Sequence, residues 1–254
     1  MPAKGKITYI CSSCGAKHPK WTGQCNDCGI WNSLSETKIV HSAKSIHDVD
    51  QADSVPIDLS SIQVAQIARM STGSSEFDRV LGGGFVEGAV TLLGGEPGIG
   101  KSTLALQCAG SLSVADSVLY TTGEESLQQL ALRASRTKIE SSNIKIIATS
   151  ELETVLHVAR STGPKFVVID SIQTLYSIEQ ESAPGSISQV RACADRLVRF
   201  AKSTSTAILM IGHITKDGVL AGPKLLEHIV DTVLYFEGDA DSRLRLVRAF
   251  KNRF

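Results

Sequence analysis

The chain has 254 residues, 42% of them hydrophobic, enough for one α/β domain of ordinary size plus something small. Its 26 basic residues balance 26 acidic ones, which excludes a whole-chain cationic footprint for a polyanion. No apolar run approaches the ~20 residues that span a bilayer, and Met1-Pro2-Ala3-Lys4-Gly5-Lys6 leads into no long apolar stretch, so the expectation is a cytoplasmic protein without a membrane partner.

Residues 1–34 hold four of the six cysteines and both tryptophans. Cys11, Cys14, Cys25 and Cys28 form two C-x-x-C pairs. Each pair sets two thiolates on a tight turn, and two such turns close a tetrahedron around one Zn²⁺ with no position left for catalysis. Gly15 and Gly29 follow the second cysteine of each pair, where the turn needs a residue that tolerates positive φ. Two disulfides or a thioredoxin-like redox pair are the alternatives. A cytosolic setting argues against the first, and the lack of a surrounding βαβ unit against the second. Trp21 and Trp31 are expected to cover this small core, which so short a stretch cannot build without its metal. Six lysines against Asp27 and Glu36 leave the first 44 residues at +4. Residues 35–66 are polar, Ser-rich and acidic (Asp48, Asp50, Asp53, Asp58), and read as a linker or arm.

Residues 67–254 read as an α/β domain, a mostly parallel sheet flanked by helices, because strand and helix patterns alternate from about Ser71 onward. Strands are expected at 89–93, 117–121, 144–148, 166–169, 207–211, 232–237 and 244–251, and helices at 101–114, 127–137, 152–161 and 187–204. Four apolar strands before residue 212 suit central positions with helices on both faces. The last two suit an antiparallel edge, since polar residues alternate in Arg243-Leu244-Arg245-Leu246-Val247-Arg248. Cys108 and Cys193 fall in helices and read as buried hydrophobes. Residues 187–224 carry six cations (Arg191, Arg196, Arg199, Lys202, Lys216, Lys224) against Asp195 and Asp217, and the last twelve residues carry five cations and no acid. Such stretches usually form a solvated surface and hint only weakly at a polyanion.

The most informative segment is Gly95-Glu96-Pro97-Gly98-Ile99-Gly100-Lys101-Ser102-Thr103, which fits G-x-x-x-x-G-K-[ST] between a strand and a helix. The helix start directs free N–H groups and a positive dipole end at a phosphate, and the glycines let the backbone wrap it. Lys101 reaches the β/γ-phosphates and Ser102 holds Mg²⁺. The chain is therefore expected to bind ATP or another nucleoside triphosphate. Hydrolysis also needs a metal-holding acid and a water-activating acid. Lys165-Phe166-Val167-Val168-Ile169-Asp170 ends an apolar strand in an acid, which places Asp170 to bind Mg²⁺ through water. Thr121-Thr122-Gly123-Glu124-Glu125 ends another strand, and either Glu124 or Glu125 suits polarising water; an exposed acidic turn is the alternative. His213 ends a third strand and is placed to sense the γ-phosphate and pass its state to the following loop.

Together, the four-Cys ribbon, the Gly-Glu-Pro-Gly-Ile-Gly-Lys-Ser-Thr loop, the Thr-Gly-Glu-Glu-Ser turn and Lys251-Asn252-Arg253-Phe254 resemble the bacterial RadA/Sms family of DNA-repair proteins, and the resemblance runs over essentially the whole chain. It implies a RecA-like P-loop ATPase core with an N-terminal zinc ribbon, working as a hexameric ring motor. The family pattern continues with Gly and a Lon-protease-like domain, whereas the sequence given stops at Phe254. Lys251 and Arg253 match a signature whose cations act on a neighbouring subunit's nucleotide. By the same resemblance two loops, 177–188 and 215–224, line the ring's pore and track single-stranded DNA through Lys216, Lys224 and the nearby Arg191. Only Tyr176 lies near either loop as an aromatic, so backbone tracking with little base stacking is expected. The implied function is DNA-stimulated ATP hydrolysis driving branch migration of recombination intermediates, with recombinase or helicase partners at the ribbon. A KaiC-like RecA-fold signalling switch or autokinase is the alternative; the ribbon and the 187–224 cations favour the motor.

Overall fold

The computed structural model describes residues 7–11, 17–18, 20–26, 29–31, 34–38, 68–139, 143–213, 226–238 and 244–254. The chain divides into two compact units, Met1–Gln63 and Val64–Phe254.

In the first unit, β1 (Ile7–Cys11) is the middle strand of an antiparallel sheet between β2 (Lys17–His18) and β3 (Leu34–Lys38). The second cysteine pair shows part of its turn. Gly29 N–H donates to Cys25 O at 2.9 Å and Cys25 N–H to Ile30 O at 3.1 Å. Gly29 has φ 72°, as expected for the residue after the pair. Cys25 is buried, whereas Trp21 is 56% and Trp31 68% exposed. Trp31 lies over Gly23, in a segment pinned by the Gln24–Trp31 bridge. The arm expected over 35–66 begins later, because Leu34–Lys38 pairs with β1 as the third strand of the ribbon sheet. Cys14 and Cys28 lie outside the described residues, as do residues 39–66 and loop 215–224 with Lys216 and Lys224.

In the second unit, β4 (Arg69–Met70) pairs with β5 (Phe85–Val86) around α1 (Ser75–Leu81). Then follow β6 (Val90–Gly95), α2 (Lys101–Leu112), β7 (Val118–Thr122), α3 (Leu127–Arg136), β8 (Ile144–Ala148), α4 (Leu152–Thr162), β9 (Phe166–Asp170), α5 (Ile187–Thr204), β10 (Ala207–His213), β11 (Thr232–Gly238) and β12 (Arg245–Asn252). Strand order in the seven-stranded sheet is β12-β11-β6-β10-β9-β7-β8, and only β12 runs antiparallel to its neighbour.

The two faces of the sheet follow the period-2 rule. Val90 and Leu92, Val167 and Ile169, and Ile208 and Met210 point into one core with α4 and α5. Leu93, Phe166, Val168, Leu209 and Ile211 point into the other with α1, α2 and α3. Cys108 and Cys193 are buried in these cores, and burial pushes their thiols up to about 12 and about 11. Both therefore stay protonated, as packing groups.

Two features differ from expectation. β11 is an interior strand parallel to β6, and β12 alone forms the antiparallel edge. The reason is visible in Val233-Leu234 and Phe236, which are buried, whereas β12 exposes most of its residues. Helix α1 has no counterpart among the helices expected from the sequence, although its signals are present. Ser74 caps its start by accepting from Phe77 N–H, and Gly82 ends it at φ 77°.

Candidate nucleotide site

Parallel register brings four strand ends into one row. His213 stands opposite Gly95, and Thr122 opposite Asp170. The crevice therefore lies beyond the C-terminal ends of β6, β10, β9 and β7, where ligands bind in open parallel sheets.

On one side of the crevice is the loop between β6 and α2. Gly100 takes φ 116° at the N-cap and offers no side chain there, so no side-chain cap competes for the first-turn N–H groups. A side chain on Gly95 would meet Phe236 O at 2.6 Å, whereas space beside Gly98 is open for 4 Å. Lys101 is only 3% exposed. Its ammonium donates to Gly95 O and Glu96 O, both at 2.8 Å, curling back over the loop where a phosphate would sit. Burial lowers its pKa, and the negative charges of Asp170 and Glu124 act against that. A buried cation held by two carbonyls, above uncapped helix N–H groups, fits a polyphosphate. Ser102, next on α2, is half-buried at the same mouth.

Facing the loop are the acids. Asp170 is 5% exposed and accepts from Tyr120 Oη at 2.7 Å. Burial, then the neighbouring carboxylate, raises the Tyr120 pKa well above its ordinary value, so the phenol stays a donor. This tyrosine fixes the orientation of the acid, and sequence reasoning missed it. Its signal was an apolar strand, Val118-Leu119-Tyr120, whose one hydroxyl needed a partner.

The two glutamates separate. Glu124 Oε1 accepts from Ser171 Oγ at 2.6 Å and lies 3.1 Å from His213 Nε2. Glu125 turns the other way and pairs with Arg133 on α3. The turn between them is fixed from both ends. Gly123 N–H donates to Asp170 O at 2.8 Å, and a Cβ on Gly123 would meet Thr174 Oγ1 at 2.1 Å. Thr122 Oγ1 accepts from Glu125 N–H, and Ser126 with Gln129 closes a capping box at the start of α3. Behind His213, Gln173 Nε2 donates to its carbonyl at 3.2 Å. Among the described residues His213 Nδ1 and Gln173 Oε1 are buried without a hydrogen-bond partner, which suits groups that re-pair when a ligand arrives.

Comparison with known proteins accounts for this arrangement. A model described as an AAA domain matches residues 60–219, and one described as a rubredoxin metal binding domain matches residues 9–36. The chain belongs to this AAA family. It is 51% identical over 256 residues to the DNA repair protein RadA of Pseudomonas aeruginosa, covering 99% of this chain and 56% of that protein. Identity to the DNA repair proteins RadA of Haemophilus influenzae and Escherichia coli is 46% over 259 and 261 residues, covering 100% of this chain and 57% of each. The chain thus spans little more than half the length of these relatives. The resemblance drawn from its motifs holds over nearly all of it, and so does the architecture of a P-loop core with an N-terminal ribbon. ATP and Mg²⁺ go with the ATPase domain and Zn²⁺ with the ribbon. Among the described residues no group of three or more metal-type ligands converges, because two of the four ribbon cysteines lie outside them.

The remaining candidates are not in the crevice. Lys251 and Arg253 stand at the opposite end of the sheet, since Asn252 pairs with Thr232, which pairs with Thr91 at the start of β6. Lys251 Nζ donates to Glu227 O at 2.6 Å and Val230 O at 2.7 Å. Arg253 pairs with Asp231 at 3.4 Å, whose other oxygen accepts from Val90 N–H. Arg191 is exposed on α5, 4.0 Å from Asp195. Loop 177–188 is held by a buried amide that the sequence reading overlooked. Gln189 Oε1 accepts from Ser177 N–H, while its Nε2 donates to the carbonyls of Ser177, Gln180 and Ser182. No described helix is long and apolar enough to cross a membrane.

Proposed function

We propose that this chain is the motor part of a DNA-dependent ATPase of recombinational repair, a hexameric ring on single-stranded DNA in the cytoplasm that promotes branch migration. Convergence of Lys101, Asp170 and Glu124 at adjoining strand ends is the observation that carries the reading. Lys101 binds the β/γ-phosphates together with backbone N–H groups of residues 95–103. Ser102 and Asp170 hold Mg²⁺, which neutralises charge developing on the transferred phosphoryl group. Glu124 orients and deprotonates the attacking water, because Ser171 and His213 hold it toward the crevice while Arg133 holds Glu125 away. His213, bonded to Glu124 and followed by loop 215–224, reports the occupancy of the site to that loop.

Lys216, Lys224 and Arg191 contact the DNA backbone. Lys251 and Arg253 act on the triphosphate of a neighbouring subunit, a role supported by their distance from the chain's own P-loop. Cys11, Cys14, Cys25 and Cys28 hold the zinc in a ribbon that runs on through β3 to Lys38, an arm follows up to residue 66, and 67–254 form the ATPase domain. A recombinase or helicase docks at the ribbon. ATP turnover measured with and without single-stranded DNA, beside a sizing measurement with nucleotide, tests the reading. Stimulation by DNA in a ring-sized species is expected; turnover indifferent to DNA would overturn the motor.

A further inference from the structure

The chain has two tryptophans, and both sit in the N-terminal unit with most of their surface in solvent: Trp21 is 56% exposed and Trp31 68%. Indoles bury more apolar area than almost any other side chain. Two left open, with the 46%-exposed Ile30 beside them, form a patch that a ligand would cover. Their segment is held in place. Thr22 Oγ1 donates to Gln24 O at 2.8 Å, Gln24 Nε2 donates to Gly29 O at 2.7 Å, and Gln24 forms a strand bridge with Trp31. A Cβ on Gly23 would stand 3.5 Å from Cζ3 of Trp31, so that ring rests on a residue with no side chain to cover it. Among the described residues neither indole meets another ring.

Resting on the single-strand reading above for its ligand class, we propose that Trp21 and Trp31 form a base-stacking platform, a second contact with single-stranded DNA made by the ribbon and not by loops 177–188 and 215–224. Charge selects this ligand. Lys17, His18 and Lys20 precede Trp21, Lys20 is exposed, and the first acid of the chain is Asp27. Aromatic faces on a cationic surface suit unpaired bases, which stack on the rings while their phosphates meet the lysines. An apolar protein segment would find only Ile30 beside the indoles, because the other exposed or half-buried residues described between Lys20 and Trp31 are Thr, Gly, Gln and Asn. Stacking tolerates any base, so the platform adds affinity without sequence preference.

Since the chain has no third tryptophan, its indole emission reports this site alone. The test titrates oligothymidylate, and an abasic strand of the same length, into the full chain with Mg²⁺ and ADP, reading indole emission and the anisotropy of a labelled strand. Oligothymidylate is expected to quench the emission and the abasic strand to leave it unchanged. Trp31→Ala should weaken oligothymidylate about tenfold and the abasic strand less than about twofold, whereas Trp31→Phe, which keeps a ring, should cost about threefold. Lys20→Ala should weaken both strands alike and flatten their salt dependence. Zinc analysis and thermal melting show that each variant keeps its ribbon; if Trp31→Ala sheds zinc, wild-type quenching and Trp31→Phe decide the outcome. Oligothymidylate bound with unchanged emission, or equal losses for both strands in zinc-bearing Trp31→Ala, would overturn the platform and leave the indoles to a protein partner, with the single-strand reading intact. Wild-type protein binding neither strand would overturn that reading, and the platform with it.

Discussion

The two ends of the central sheet treat their cations in opposite ways. At the P-loop end, Lys101 is buried under carbonyls with Asp170 and Glu124 facing it, so the proposed cation, metal-holding acid and water-activating acid all come from one chain. At the other end, four residues back along β6 and about 13 Å away at the rise of a strand, Lys251 and Arg253 are satisfied by Glu227, Val230 and Asp231. One end is an open cradle of loop backbone and a buried cation. The other is a closed local network whose cations must give up partners before they act on anything else. The difference teaches that one chain brings together the groups that bind nucleotide at the first end, whereas the second end acquires chemistry only if assembly offers its cations a better anion than Asp231.

The sharpest break in that comparison is Lys101→Ala. ATP turnover is expected to fall about a thousandfold while the fold survives, because transition-state charge loses the side-chain cation that the same chain supplies. A steady-state ATPase assay beside a thermal melt checks it. Near-normal turnover in folded protein would dissolve the contrast between the two ends.

Next in size is the split between the glutamates. Glu124→Gln is expected to lower kcat by at least about a hundredfold with nucleotide affinity retained. Glu125→Gln should leave kcat within about threefold and cost about 1 kcal/mol of stability through the loss of its Arg133 partner. Measuring ADP affinity, kcat and the urea midpoint for both separates them; the reverse pattern would move the catalytic role to Glu125.

These glutamates also show how far the sequence carried the argument. Strand-helix alternation, the P-loop and Asp170 were legible because each is a local pattern with a physical requirement. The helix over 187–204 matches α5 residue for residue. Which glutamate faces the crevice was not legible, since it depends on Ser171, Arg133 and His213, which come from three other segments. Tyr120 and Gln189 were missed for the same reason: one hydroxyl or amide in an apolar pattern says nothing of its partner. The orientation of β11 was misjudged because alternation in residues 243–248 was extended to a neighbour whose own residues are apolar.

A third test addresses the other end of the sheet. Asp231→Ala should destabilise the domain by about 2 kcal/mol, since a buried carboxylate that accepts from Val90 N–H and partners Arg253 is removed. Arg253→Ala should cost far less, because its guanidinium is half-exposed. Mixing inactive Lys101→Ala with inactive Arg253→Ala subunits then asks whether the network opens on assembly. Partial recovery of turnover is expected, where one subunit brings an intact P-loop and its neighbour an intact arginine. No recovery in rings shown to be mixed would confine Arg253 to its bond with Asp231.

The smallest effect is expected where an anion, not a cation, organises a loop. Glu153 on α4 accepts from Ser177 Oγ at 2.7 Å, pairs with Arg196 and faces Ile178 N–H. Burial alone would raise its pKa, but the bonds from Ser177 and Arg196 outweigh that and hold it below its ordinary 4.5. With the folded-state value depressed, the stabilisation is present in full above 4.5 and is lost as pH falls through the folded value. Below that pH the protonated acid loses the charge that strengthens its bonds from Arg196 and Ser177. The start of loop 177–188 then rests more on Gln189 and on the bond from Arg196 to Ser177 Oγ. Wild-type protein should therefore lose about 1 kcal/mol between pH 5 and strongly acid conditions from this group, a loss that Glu153→Gln, already lacking the charge, should not show. Urea midpoints of the two proteins across that range measure it. Parallel curves would mean that Glu153 does not hold the loop, and that the rigidity of this segment rests on the Gln189 amide.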